Sequence, residues 1–253
     1  PDLRRHQAAK ASNVPRRVSS PMKRKGIGLQ TIGGAAVYAP CSGRLRDNDP
    51  SLTKVDLTRR PLGAGGELGW VKELVAALRG NTRVKALILS GNGIGDEGAE
   101  VLAEMIRVNT AITKLDLSDN FIRERGAAAL SRALCLNASV AILNLEGNVL
   151  GDEGAIAFDK VLRSNCTLTE LNLGRNHLGN KSAKTIAAAL LRNDHLLRLN
   201  LRDNNIGRGG MEAFSAALQI NMSLRAIRLT GNRFGYMGTD ILCSAITNFE
   251  GKG

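Results

Sequence analysis

The sequence predicts an α/β solenoid of about seven repeated units, each a short strand followed by a helix, with a basic arm in front. Three observations carry this. Asparagines stand at Asn92, Asn120, Asn148, Asn176, Asn204 and Asn232, each 28 residues after the last. A second series, Asn81, Asn109, Asn137, Asn165, Asn193 and Asn221, keeps the same step. Between the two series the apolar spacing changes from two to three and four. Self-similarity at a fixed period of this size marks stacked supersecondary units, none of which can bury its apolar face alone.

Each element follows from that spacing. Leu87 and Leu89, with Val84 before and Ile94 after, bracket Asn92, and the pattern returns as Leu115, Leu117 and Asn120, then as Leu143, Leu145 and Asn148. A period of two describes a strand with one buried face. Ala99, Leu102, Ala103 and Ile106 then line one side of a helix, as do Ala183, Ile186, Ala187 and Leu190. Asp96 and Asp152 stand where a side-chain oxygen caps a helix start. The second asparagine series lies just past the helix ends, where a left-handed residue is expected.

The run LxxLxLxxNxL, with Gly95-Asp96-Glu97-Gly98-Ala99 and Gly151-Asp152-Glu153-Gly154-Ala155, resembles the leucine-rich repeat superfamily, and within it the ribonuclease-inhibitor-like subtype. The resemblance spans residues 51–249. It implies a horseshoe with parallel strands on the concave side and helices on the convex side. The domain division is then 1–50 as extended basic arm and N-terminal cap region, and 51–253 as the repeat domain. The first unit is atypical: Arg60 replaces the asparagine, and it precedes Asn92 by 32 residues. Trp70, the one tryptophan, is expected as a capping residue, since end units seal a stack. No cap pattern closes the seventh unit, so further chain or a neighbour is expected over that edge.

Composition narrows the function. Of 253 residues 43% are hydrophobic and only 3% aromatic, so the core is aliphatic. No apolar run is long enough to span a bilayer. Cys41, Cys135, Cys166 and Cys243 lack zinc or disulfide spacing, which suggests a reducing compartment. The sequons at Asn137, Asn165 and Asn221 belong to the second asparagine series and are a by-product of the repeat. His6, His177 and His195 assemble no triad, and no glycine-rich stretch continues into a phosphate loop. Catalytic residues, metal ligands and cofactors are therefore expected to be absent, and the chain is read as not an enzyme.

Charge points to a partner. The net charge is +12, and residues 1–50 hold ten basic against three acidic side chains. Arg4, Arg5, Lys10, Arg16, Arg17, Lys23, Arg24 and Lys25 form the arm's candidate contact. Too polar to bury a core, it is expected to order only against an acidic surface, such as a tubulin-like protein or RNA. A second candidate contact is the basic cluster Arg175, Arg198, Arg202 and Arg228 on the concave face. The asparagines of the first series are read as structural: their amides satisfy buried turn groups. The expected function is a scaffold within a large intracellular complex, cytoskeletal and specifically axonemal or microtubule-associated. Ribonuclease-inhibitor-like repeats recur in axonemal components, so the resemblance implies that lead and a cilium or flagellum as its location. A structural protein of an RNA-protein particle, such as an organellar ribosome, is the alternative, with a mitochondrion as the alternative location. A regulator of a GTPase or other enzyme is the third reading. Small-molecule substrates and membranes are not expected.

Overall fold

Strand follows helix through seven units, as the apolar spacing demands. The computed structural model describes residues 39–60 and 68–241. The strands are β1 (Lys54–Asp56), β2 (Ala86–Ile88), β3 (Lys114–Asp116), β4 (Ile142–Asn144), β5 (Glu170–Asn172), β6 (Arg198–Asn200) and β7 (Ala226–Arg228). They form one parallel sheet in sequence order, with Val55, Leu87, Leu115, Leu143, Leu171, Leu199 and Ile227 in register. That central residue is buried in β1 to β6 and half-buried in β7, while its neighbours face outward.

The helices are α1 (Ala39–Arg46), α2 (Gly69–Leu78), α3 (Gly95–Ile106), α4 (Glu124–Leu134), α5 (Gly151–Ile156), α6 (Asp159–Ser164), α7 (Asn180–Leu190) and α8 (Arg208–Leu218). The fourth unit differs from its neighbours because its helix is broken into α5 and α6. At the break the Ser131 hydroxyl donates to the Ala157 carbonyl at 2.5 Å. A side chain inserted into the helical hydrogen-bond ladder interrupts it.

The first asparagine series, buried from Asn92 to Asn204 and half-buried at Asn232, stitches each unit to the one before it. Asn148 Nδ2 donates to the carbonyls of Leu117 and Leu145, while its Oδ1 accepts from the N–H groups of Asn120 and Ile122. This pattern recurs down the stack. The second series works differently from expectation. None of its members has a left-handed backbone; Asn165, for example, is extended at φ −84. Their side chains make the turn instead: Asn165 Oδ1 accepts from the N–H groups of Thr167 and Leu168, and its Nδ2 donates to Leu134 and Asn137 carbonyls one unit back. A left-handed position recurs before each first-series asparagine, at Gly91, Asp119, Gly147, Arg175, Asp203 and Gly231, with φ between 53 and 73.

The helix-start acids are a second correction. Asp96 does not cap its own helix α3. Its Oδ1 accepts from the N–H groups of Arg123 and Gly126 and so caps α4. Asp152 caps α7 in the same way, and Asn180 caps α8. Stacking places one helix start over the next, so the nearest orphan donors belong to the following unit.

Helix α1 falls within the segment read as arm and cap. Its Leu45 is buried at 1% exposure, and the Leu45 carbonyl accepts from Asn81 Nδ2. Asp49 stands 32 residues before Asn81 and fills the place of a second-series asparagine. Its Oδ1 accepts from the Ser51 hydroxyl and N–H, and Arg44 reaches its Oδ2 at 2.6 Å. Those bonds, Ser51 first and then Arg44, hold the carboxyl at about 2. Trp70 is buried at the start of α2 with Val71 and Leu74.

Candidate protein-interaction surface

The outward residues of the strands and of the turn that follows each one form a polar sheet face. Asp116 anchors it at the centre: its Oδ1 accepts from the Ser118 hydroxyl at 2.7 Å and from Asn144 Nδ2 at 3.1 Å. With its own proton on Asp116, the Ser118 hydroxyl accepts from the Ser90 hydroxyl one unit back, 2.9 Å away. Glu146 lies across the middle of the face, its side chain only 18% exposed. Arg202, two units away, holds its Oε1 at 2.5 Å, and Asn172 Nδ2 holds Oε2 at 2.8 Å. Burial alone pushes this carboxyl up, but the hydrogen bonds from Arg202 and Asn172 and the charges of Arg202 and Arg175 outweigh it. Glu146 therefore sits below its ordinary value.

These pairs change the meaning of the basic cluster. Arg198 is bound to Glu170, Arg202 to Glu146, and Arg175 lies 3.5 Å from Asp119. Three of the four expected arginines are thus paired with carboxylates one or two units away. Arg228 makes no ion pair among the described residues, and neither do Arg225 and Arg233 beside it. Among the described residues the unpaired positive charge of this face thus lies at Arg225, Arg228 and Arg233 in the last described unit, at Lys114 on β3 and at Arg59 and Arg60 in the first turn. A hollow of about 340 Å³ runs from β3 to β7 between Asp116, Asn144, Asn172, Asn200 and Arg228. Its lining of amides and charges suits polar recognition of a protein surface.

Arm residues Arg4, Arg5, Lys10, Arg16, Arg17, Lys23, Arg24 and Lys25 lie outside the described residues, as do Cys243 and Gly63 to Gly66, while Cys41 lies in α1. Cys135 is half-buried and Cys166 exposed, and both are free thiols. His177 is exposed at a strand-end turn, and the His195 ring lies against the carboxylate of its neighbour Asp194. Among the described residues no group of His, Cys, Asp or Glu is placed to hold a metal ion. No described helix is long and apolar enough to cross a membrane.

Sequence reading missed the cross-unit caps and the pairing of Arg202 with Glu146. A signal existed for the pairing. Arg202 and Glu146 occupy the same outward column two units apart, and Asn172 and Gly174 between them are short enough to leave the span open.

Comparison with known proteins agrees with the fold. Residues 39–147 match the family model of the TMOD/LMOD leucine-rich domain, and residues 164–187 and 192–215 match a leucine-rich repeat model. These descriptions do not name the ribonuclease-inhibitor-like subtype. Among solved structures, actin-binding site 2 of leiomodin-1 is 19% identical, with a TM-score of 0.37, covering 85% of this chain and 92% of that one. The tropomodulin C-terminal domain of Caenorhabditis elegans is 18% identical, with a TM-score of 0.40, covering 85% of this chain and 94% of that one. No curated protein matches. Two asparagine series in 28-residue step, seven parallel strands in register and both family matches lead to one conclusion: the chain belongs to the leucine-rich repeat superfamily.

Proposed function

We propose that the chain is a non-enzymatic interaction scaffold of the cytoskeleton, built to hold a filament protein with an acidic surface. The observation that carries this reading is the match of residues 39–147 to the leucine-rich domain of tropomodulin and leiomodin. The charge distribution supports it. Arg225, Arg228 and Arg233 leave one end of the sheet face positive, and the eight basic residues of the arm supply a second contact. Two weak electrostatic contacts on one chain reinforce each other, because the second forms at high effective concentration. The more specific version places the chain on an axonemal microtubule; actin filaments are the other acidic filament to be tested, since the matched domain is that of tropomodulin and leiomodin.

Proximity cross-linking in native extracts tests the proposal, read at Lys10, Lys23 and Lys25. Cross-links from these lysines to a cytoskeletal filament protein are the expected result. Cross-links confined to RNA-bound proteins would replace it with the RNA-particle reading.

A further inference from the structure

The helix face carries a second surface with a chemistry of its own. Between α4 and α6 lies a groove of about 310 Å³, lined by Ala128, Ser131, Cys135, Leu136 and Ala157, with Arg132 and Lys160 at its rim. Its origin is local. α4 packs along the whole of α3 but only thinly against α6, because the fourth unit's helix is broken where Ser131 takes the Ala157 carbonyl. Leu136 stands at the groove with 70% of its surface exposed, a large apolar side chain without a covering neighbour. Val108, in the same position one unit earlier, is also exposed at 41%.

The rim charges make the groove selective. Several basic side chains on this face hold carboxylates, Arg125 with Glu100, Arg163 with Asp159, Lys181 with Glu153 and Arg208 with Glu212. Arg132 and Lys160 hold none among the described residues, and no acidic residue lines the groove. Two unpaired cations beside an apolar trough complement a segment that offers an aliphatic or aromatic side chain between carboxylates. A basic or uncharged segment would leave both cations facing nothing. We propose that this groove docks an acidic peptide segment of a partner protein, one apolar side chain seated against Leu136 and Cys135 and flanking Asp or Glu residues on Arg132 and Lys160. The proposal goes beyond the filament reading, since it concerns the opposite face and stands whether or not a filament binds.

The test uses the purified full chain and a random peptide display library, selected in parallel on an Arg132→Glu/Lys160→Glu variant. Both substituted side chains are exposed, so circular dichroism should show the fold retained. Peptides enriched on the unaltered chain should carry an aliphatic or aromatic residue flanked by Asp or Glu. Synthesised, they should bind the double variant about tenfold more weakly. The same peptides should shield Cys135 from a maleimide in a Cys41→Ser/Cys166→Ser/Cys243→Ser chain, where it is the one thiol left. Three results would each overturn the proposal: no enrichment, enrichment of basic or uncharged peptides, or acidic peptides that bind both proteins equally and leave Cys135 fully labelled.

Discussion

Asp152 Oδ1 accepts the Gly179 N–H at 2.7 Å and the Ser182 hydroxyl at 2.6 Å, so the start of α7 is capped by a side chain from the preceding unit. Asp96 does the same for α4, and Asn180 for α8. Capping across units makes each helix start depend on its neighbour being in register. Together with the buried asparagines this couples the units beyond what apolar stacking provides, in the nearest-neighbour manner expected of solenoids.

Replacing Asp152 by Ala should destabilise the protein by about 1 kcal/mol, the usual loss for an N-cap, while Asp152→Asn should be milder because Asn180 shows that an amide oxygen serves. The pH dependence separates the two. Burial pushes the Asp152 carboxyl up, but the Ser182 hydroxyl, the N–H groups of Gly179 and Ser182 and the charge of Lys181 outweigh it. It therefore lies below the ordinary 3.8. Its stabilisation is present above that value and disappears as pH falls through the lower folded one. Thermal midpoints measured from neutral pH down through this range should show a steeper decline in the wild type than in Asp152→Asn.

Asn148→Ala should lower stability by about 1–3 kcal/mol, because it strips both acceptors and donors from turns that are buried. Asn92→Ala should do less harm. Its Nδ2 bonds the carbonyls of Leu57 and Leu89, but its Oδ1 is buried without a hydrogen-bond partner among the described residues. Chemical denaturation of the two variants checks the order. Equal losses would contradict the account of the series.

The left-handed column offers an opposite pair. Arg175 has φ 54, a strained value for a residue with a Cβ, and its ion pair with Asp119 is exposed and 3.5 Å long. Arg175→Gly should therefore leave stability unchanged or raise it by up to about 1 kcal/mol. Gly147→Ala should lower it, since a Cβ there would come within 2.0 Å of Asp119 Oδ1. Melting curves of the two variants should move in opposite directions or, for Arg175→Gly, not at all.

Glu146 reports on the sheet-face network. In Arg202→Met it keeps its partial burial and loses its largest opposing hydrogen bond, so its carboxyl should titrate higher than in the wild type. NMR titration of the Glu146 side chain measures this directly. The wild-type group, held low, contributes stability above its ordinary value and loses it as pH falls; the variant should lack that acid-sensitive component.

Much of this was legible in the sequence because a solenoid writes its fold locally. The step from Asn92 to Asn120 states the unit length, and the spacing of Leu87 and Leu89 against Leu102 and Ile106 separates strand from helix. What resisted were interactions between units, where sequence separation hides proximity. Asp96 looks like a cap for its own helix until the stack brings Gly126 above it. Arg198 and Arg202 look like free positive charge until Glu170 and Glu146 face them one and two units away. The break between α5 and α6 was hidden for the same reason: its cause, Ser131, lies a full repeat earlier.

The central claim is that the chain binds a cytoskeletal filament through an acidic surface. Co-sedimentation of the intact chain with actin filaments and with microtubules, over a salt series, beside a gel-shift assay with RNA, measures it most directly. The account predicts that the chain pellets with one of the filaments, is released as salt screens the contact, and is largely lost from the pellet when residues 1–26 are deleted. A chain that stays in solution with both filaments and shifts RNA would contradict it.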